Sequence, residues 1–152
     1  MKRALKILSL VLALLLAMTA LIACDSDKKK NDDDDDEVIP ASDPQDAYDA
    51  LEDNGYTVNL VEYSGDCEAM ISASKDEDFI SINWYKESAD AREAYNDAKE
   101  ELQELKDALE DMKDELGDEY ASMKKEFSKY VVGRDGKMVW SASSEDVVED
   151  AQ

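Results

Sequence analysis

The stretch ESADAREAYNDAKEELQELKDALEDMKDELGDEYASMKKEF, Glu87 to Phe127, decides how this chain can fold. Its apolar residues Tyr95, Ala98, Leu102, Leu105, Leu109, Met112 and Leu116 recur at steps of three and four, and nearly every residue between them is polar or charged. That spacing lines one face of an α-helix and is close to a heptad. After Gly117 the stripe resumes at Tyr120, Met123 and Phe127. A glycine inside a helix costs about 1 kcal/mol relative to alanine. An uninterrupted helix of about 40 residues also needs more support than a small sheet offers. A break near Gly117 is therefore expected, with the chain folding back as two helices.

Working outward toward the N-terminus, the residues before this helix alternate with strand periodicity. Ile80, Ile82 and Trp84 alternate with Ser81 and Asn83, and Ala69, Ile71 and Ala73 with more polar partners. Cys67–Ser74 and Phe79–Trp84 thus read as a hairpin closed by the acidic loop Lys75–Asp78. Thr57–Tyr63 reads as a further strand. Ahead of it, Ser42 or Asp43 can cap a short helix with Pro44 in its first turn, Ala47 and Leu51 on its apolar side, and Asn54-Gly55 as its stop. Beyond the long helix, Tyr130–Val132 and Lys137–Trp140 flank Gly133-Arg134-Asp135-Gly136 as a second hairpin. Ser144 can cap a last helix containing Val147 and Val148.

Together these elements predict an α+β fold: an antiparallel sheet of strands and two hairpins, packed by a long central helix and short terminal helices. The helix stripe is expected on the apolar sheet face formed by Ile80, Ile82 and Trp84.

The first residues obey a different logic. Met1-Lys2-Arg3 and Lys6 form a cationic start, and Ile7 to Ile22 are almost wholly apolar up to Leu21-Ile22-Ala23-Cys24. A positive segment, an apolar segment of about 16 residues and a small residue make a secretion signal, since a stable membrane span needs about 20. Leu21-Ile22-Ala23-Cys24 resembles the lipobox of bacterial lipoproteins. The resemblance implies cleavage after Ala23, diacylglycerol on the Cys24 thiol and acylation, palmitate for example, of the new amino group. Two or three acyl chains suffice for stable anchoring in a bilayer. Residues 25–42 then carry five consecutive aspartates, which repel one another and stay hydrated. They lack the spacing, central glycine and distal glutamate of a calcium loop. The expected organisation is a signal peptide at 1–23, a lipidated cysteine with an acidic disordered tether at 24–42, and one extracytoplasmic α+β domain at 43–152.

Composition excludes several chemistries. The formal net charge is −22, and removal of Lys2, Arg3 and Lys6 with the signal peptide takes it to −25. Such a surface repels nucleic acid. The chain has no histidine, which removes imidazole acid–base relays and zinc–histidine sites. Cys67 is the one thiol left beside a lipidated Cys24, flanked by Asp66 and Glu68, which disfavour its thiolate. No catalytic, cofactor-binding or metal-ligating set stands out, so no cofactor is expected. With 39 acids some pair falls at hydrolase distance by chance, and an envelope hydrolase using paired carboxylates stays an alternative. Trp84, Tyr85 and Trp140 are the candidate lining of a groove for a peptide, glycan or apolar ligand of the envelope.

The order of motifs also resembles small lipoproteins of Firmicutes, through Gly55-Tyr56-Thr57-Val58, Ala73-Ser74-Lys75 before Ile80-Ser81-Ile82, and Ala91 to Tyr95 opening the helix. That resemblance implies a location on the outer face of the cell membrane and a fold, and it brings no activity with it. The expected function is a membrane-anchored, non-catalytic binding or interaction module. A coiled-coil assembly protein is a further alternative, because Leu102, Leu105 and Leu109 could seat a parallel homodimer with Glu101 opposite Lys106 of a second copy. A monomer is the expected state, since the same leucines can pack within the chain.

Overall fold

The computed structural model describes residues 38–152. The expected signal peptide, Cys24 and the aspartate run lie outside the described residues. The elements are α1 (Pro44–Asp53), β1 (Thr57–Glu62), β2 (Cys67–Lys75), β3 (Asp78–Tyr85), α2 (Ser88–Asp111), α3 (Lys113–Leu116), α4 (Glu119–Phe127), β4 (Val131–Asp135), β5 (Met138–Ala142) and α5 (Glu145–Glu149). The fold is α+β, with one five-stranded sheet in the order β1-β2-β3-β5-β4 and every neighbouring pair antiparallel.

Local chemistry sets the element ends. Asp43 caps α1, its carboxylate accepting the backbone N–H of Gln45 at 2.9 Å and of Asp46 at 3.4 Å. Pro44 occupies the first turn, where its missing N–H leaves nothing unpaired. Gly55, at φ 85°, then turns the chain into β1. Both hairpins are tighter than the sequence suggests. Lys75 pairs with Asp78 and Asp135 with Met138, leaving two-residue turns at Asp76-Glu77 and Gly136-Lys137. Gly133 and Arg134, expected in the turn, belong to β4. Each turn puts its first residue at positive φ, 54° for Asp76 and 55° for Gly136. Ser144 precedes α5 without a side-chain cap; Ser143 Oγ instead donates to Asp78 Oδ1 at 3.1 Å and accepts the Phe79 N–H at 3.2 Å.

The register sorts side chains onto two faces. Ala69, Ile71 and Ala73 stand opposite Trp84, Ile82 and Ile80, which stand opposite Met138, Trp140 and Ala142. All nine are buried and form the core with Ala47 and Leu51 of α1 and Val147 and Val148 of α5. The two short helices therefore cover this face. The long helix does not, which corrects the sequence expectation. α2 touches β5, β4 and β3, yet its buried residues Ala91, Leu102 and Leu109 stand outside that core. It lies on the opposite face, over half-buried Ser81, Asn83 and Tyr85 and buried Val139. Ala91, Ala94 and Ala98 explain how: small residues at helical spacing let a helix sit close to a moderately polar sheet surface.

The long helix breaks, as its length and Gly117 suggest. α2 stops at Met112, α3 adds a single turn, and Gly117 (φ 55°, ψ −122°) redirects the chain into α4. Tyr120 of α4 donates its hydroxyl to Glu110 of α2, so the two helices form a hairpin. Of the three leucines expected to seat a homodimer, Leu102 and Leu109 are 8% and 5% exposed within this one chain and Leu105 is half-buried.

The domain also begins earlier than residue 43. Pro40 is buried, and Val38 and Ala41 pack against the core. Ala41 N–H donates to the Ala151 carbonyl at 2.8 Å, and the Trp84 indole N–H donates to the Ser42 carbonyl at 2.8 Å. Residues 38–42 are therefore part of the folded unit.

Two substitutions test the turns. Gly117 has open space where a Cβ would go, so the cost of Gly117→Ala is that of its backbone conformation alone. Urea unfolding should show a loss of about 1–2 kcal/mol. Asp76→Gly should act the other way, gaining up to about 1 kcal/mol by relieving positive φ.

Candidate functional surface

The three residues expected to line a groove are not brought together. Trp84 and Trp140 are 7% and 2% exposed, both in the core between the sheet and its short helices. Strand alternation turns Tyr85 to the other face, beneath α2. Tryptophan's large contact area has been used for packing, and the one polar atom of Trp84 is spent on the Ser42 carbonyl.

Cys67 is buried beside Tyr85, to which it is paired through a bulge between Cys67 and Ala69. Its thiol donates to the Ala69 carbonyl at 3.2 Å, and burial pushes its pKa up, against the thiolate. Glu101 is held above the usual carboxylate range by partial burial, with Asp97 and Glu104 adding to it. These three acids share one helix, so the charges that add to the effect of burial on Glu101 come from α2 itself. A shallow cleft of about 470 Å³ gathers Asp76, Glu77, Asp78, Glu126, Lys129 and Tyr130. A smaller apolar one of about 150 Å³ lies between Val38, Val131, Trp140 and Val148. Among the described residues no group of three acidic or cysteine side chains is placed to hold a metal ion, and no helix is long and apolar enough to cross a membrane.

What the tertiary structure does assemble is the junction of residues 38–42 with the C-terminal residues. Besides the Ala41–Ala151 bond, Gln152 Nε2 donates to the Ile39 carbonyl at 3.3 Å. Tyr56 donates its hydroxyl to Asp150 Oδ2 at 3.0 Å, and Asn54 donates to the Asp150 carbonyl at 3.0 Å. The end of α5 is thus clamped between the segment at 38–42 and the α1–β1 corner. Partners more than ninety positions apart leave no local signal, so these contacts could not be read from the sequence. On the outer surface, Tyr63 just past β1 stands 37% exposed, a large side chain with no core role. The chain matches no protein-family model, and no curated protein or solved structure matches it.

The buried tyrosines give a pH dependence. Burial pushes the Tyr85 hydroxyl up to about 12, with the charges of Cys67, Asp90 and Asp97 adding to it. Burial and the bond to Asp150 raise Tyr56 well above its ordinary range. A tyrosine whose folded pKa is raised contributes stability that is complete below its unfolded value near 10 and is lost as pH rises through the folded value. Stability should therefore fall between about pH 10 and 12. In Tyr85→Phe that decline should be shallower in chemical denaturation at stepped pH.

Proposed function

We propose that the chain is a lipoprotein held on the outer face of the cell membrane by acylated Cys24, whose α+β domain acts by surface recognition rather than catalysis. The observation that carries this reading is the order of the first residues. A cationic start, an apolar run and Leu21-Ile22-Ala23-Cys24 precede an acidic run that leads straight into the folded domain. The five aspartates give that spacer like charges along its length, which repel one another as a hydrated spacer between anchor and domain requires. The junction at residues 38–42 supports the same reading. A tether needs a firm attachment, and here its last residues bond to Trp84 and Ala151. Recognition is favoured over hydrolysis because, among the described residues, Glu101 is the carboxyl raised above its usual range, and Asp97 and Glu104, which add to that, lie on its own helix.

Two measurements test the two halves of the proposal. Cys24→Ser should move the protein from the detergent phase to the aqueous phase on phase partitioning; unchanged partitioning refutes the anchor. Cross-linking of the anchored protein in intact cells should yield a discrete adduct with an envelope component. Absence of any adduct refutes recognition.

A further inference from the structure

The surface through which such recognition would work can be argued from the sheet itself. Only β2 pairs with β1, which leaves β1 as one edge. Tyr63 N–H donates to the Glu68 carbonyl at 2.9 Å, one step beyond the Glu62↔Ala69 pair. In an antiparallel ladder bonded and non-bonded pairs alternate. Val61, Asn59 and Thr57 therefore bond to β2, whereas the N–H and C=O groups of Val58, Leu60 and Glu62 point outward from the sheet.

Natural edges are blunted by lysine, proline, bulges or a covering segment. β1, with the sequence TVNLVE, carries no lysine, proline or glycine, and the bulge at Cys67–Ala69 lies between β2 and β3. The opposite edge differs. Each edge strand has a helix on one face, α1 on β1 and α2 on β4, but β4 also contains Gly133 and Arg134 and shares a cleft with Val38 of the N-terminal segment. Among the described residues β1 is thus the edge strand that carries none of these devices.

Charge selects what could pair there. Glu62 is exposed on the strand, Asp66 and Glu68 are exposed beyond its end, and Glu52 and Asp53 are exposed where α1 meets it. Lys75, on the neighbouring strand, is engaged at the start of β1, its ammonium donating to the Asn54 carbonyl at 2.8 Å and lying 5.3 Å from the Tyr56 ring centroid. Val58 and Leu60 are half-buried and leave an apolar shoulder, with Tyr63 at its end. We propose that β1 is a docking edge for an extended peptide segment alternating apolar with lysine or arginine residues, which adds as a sixth strand. Main-chain bonds to Val58, Leu60 and Glu62 would supply the register, and the surrounding carboxylates the preference for cations. The chain's own Asp32–Glu37 run and a second copy carrying the same net charge of −22 both meet this surface with like charge. This inference rests on the recognition reading above.

The test uses full-length lipidated protein in zwitterionic nanodiscs, with amide hydrogen exchange read residue by residue. A short peptide alternating lysine and valine should slow exchange at Val58, Leu60 and Glu62 by about tenfold or more, leaving Asn59 and Val61, already in the ladder, unchanged. A glutamate–valine peptide should do nothing, and N-methylation along the bonding edge of the lysine–valine peptide should abolish the effect. No slowing at the three amides, or equal slowing by the glutamate peptide, overturns the proposal. So does slow exchange that depends on protein concentration without peptide, which would make a second copy the occupant. Glu62→Pro removes one outward donor without touching the β1–β2 ladder. If that variant, with Ile71 and Ile82 still protected, keeps the intact-cell adduct, the edge is wrong while recognition stands; if the wild type gives no adduct, recognition itself fails. Should Glu62→Pro not fold, the N-methylated peptide decides alone.

Discussion

One row of residues runs across all five strands: Leu60, Ile71, Ile82, Trp140 and Gly133, each opposite the next. Ile71 and Ile82 are fully buried and Trp140 is 2% exposed, so the row is the middle of the core. Each side chain of this size contributes roughly 1.5–3 kcal/mol when removed from water. Gly133, buried on β4, ends the row. Sliding any strand by one residue would turn its member of the row to the other face. The row therefore sets register, and register decides everything carried on the two faces.

Helices on both faces follow from that choice. One face is uniformly apolar and accepts the short helices α1 and α5 through Ala47, Leu51, Val147 and Val148. The other mixes Ser81 and Asn83 with Val139, and takes α2 through a stripe whose alanines allow close approach. α2 is roughly 36 Å long, beyond the roughly 30 Å of the longest strand, so its distal end needs another partner. α4 supplies it. Tyr120 binds Glu110, and the ammonium groups of Lys113 and Lys124 lie 5.4 and 5.5 Å from the Tyr120 ring centroid. These exposed polar contacts add little individually, so they orient the helical hairpin rather than hold it. Burial of Leu109 and Tyr120 holds it.

The same register explains why residues 38–42 meet the C-terminal residues. Trp84 is placed in the core by its pairing with Ala69 and Met138, and its indole N–H then needs an acceptor. The Ser42 carbonyl provides one, which brings the segment at 38–42 down onto the core beside Ala151. A single buried donor thereby couples residues 38–42 to the centre of the sheet. Among the described residues Val38 lies beside β4, at the opposite edge from β1.

The sequence by itself determined the order of the elements and several of their ends, though not the two-residue turns of the hairpins. Alternation in β2 and β3, the capping Asp43 with Pro44, the glycine at 55 and the three–four stripe of α2 are signals carried within a few residues of one another. The break at Gly117 was legible for the same reason, as was the set of side chains Ile71, Ile82 and Trp84 that face one way. Which helix covers which face was not legible. That depends on comparing the apolar content and width of two surfaces that exist only once five strands are in register, and the alanines of α2 are too small to stand out as a packing face. Nor could the sequence tell that Trp84 and Trp140 would be consumed by the core, that residues 38–42 would fold in, or that Asp150 would bind Asn54 and Tyr56. Those contacts join positions dozens of residues apart, and a pattern read along the chain holds no record of which distant partner a polar group will find.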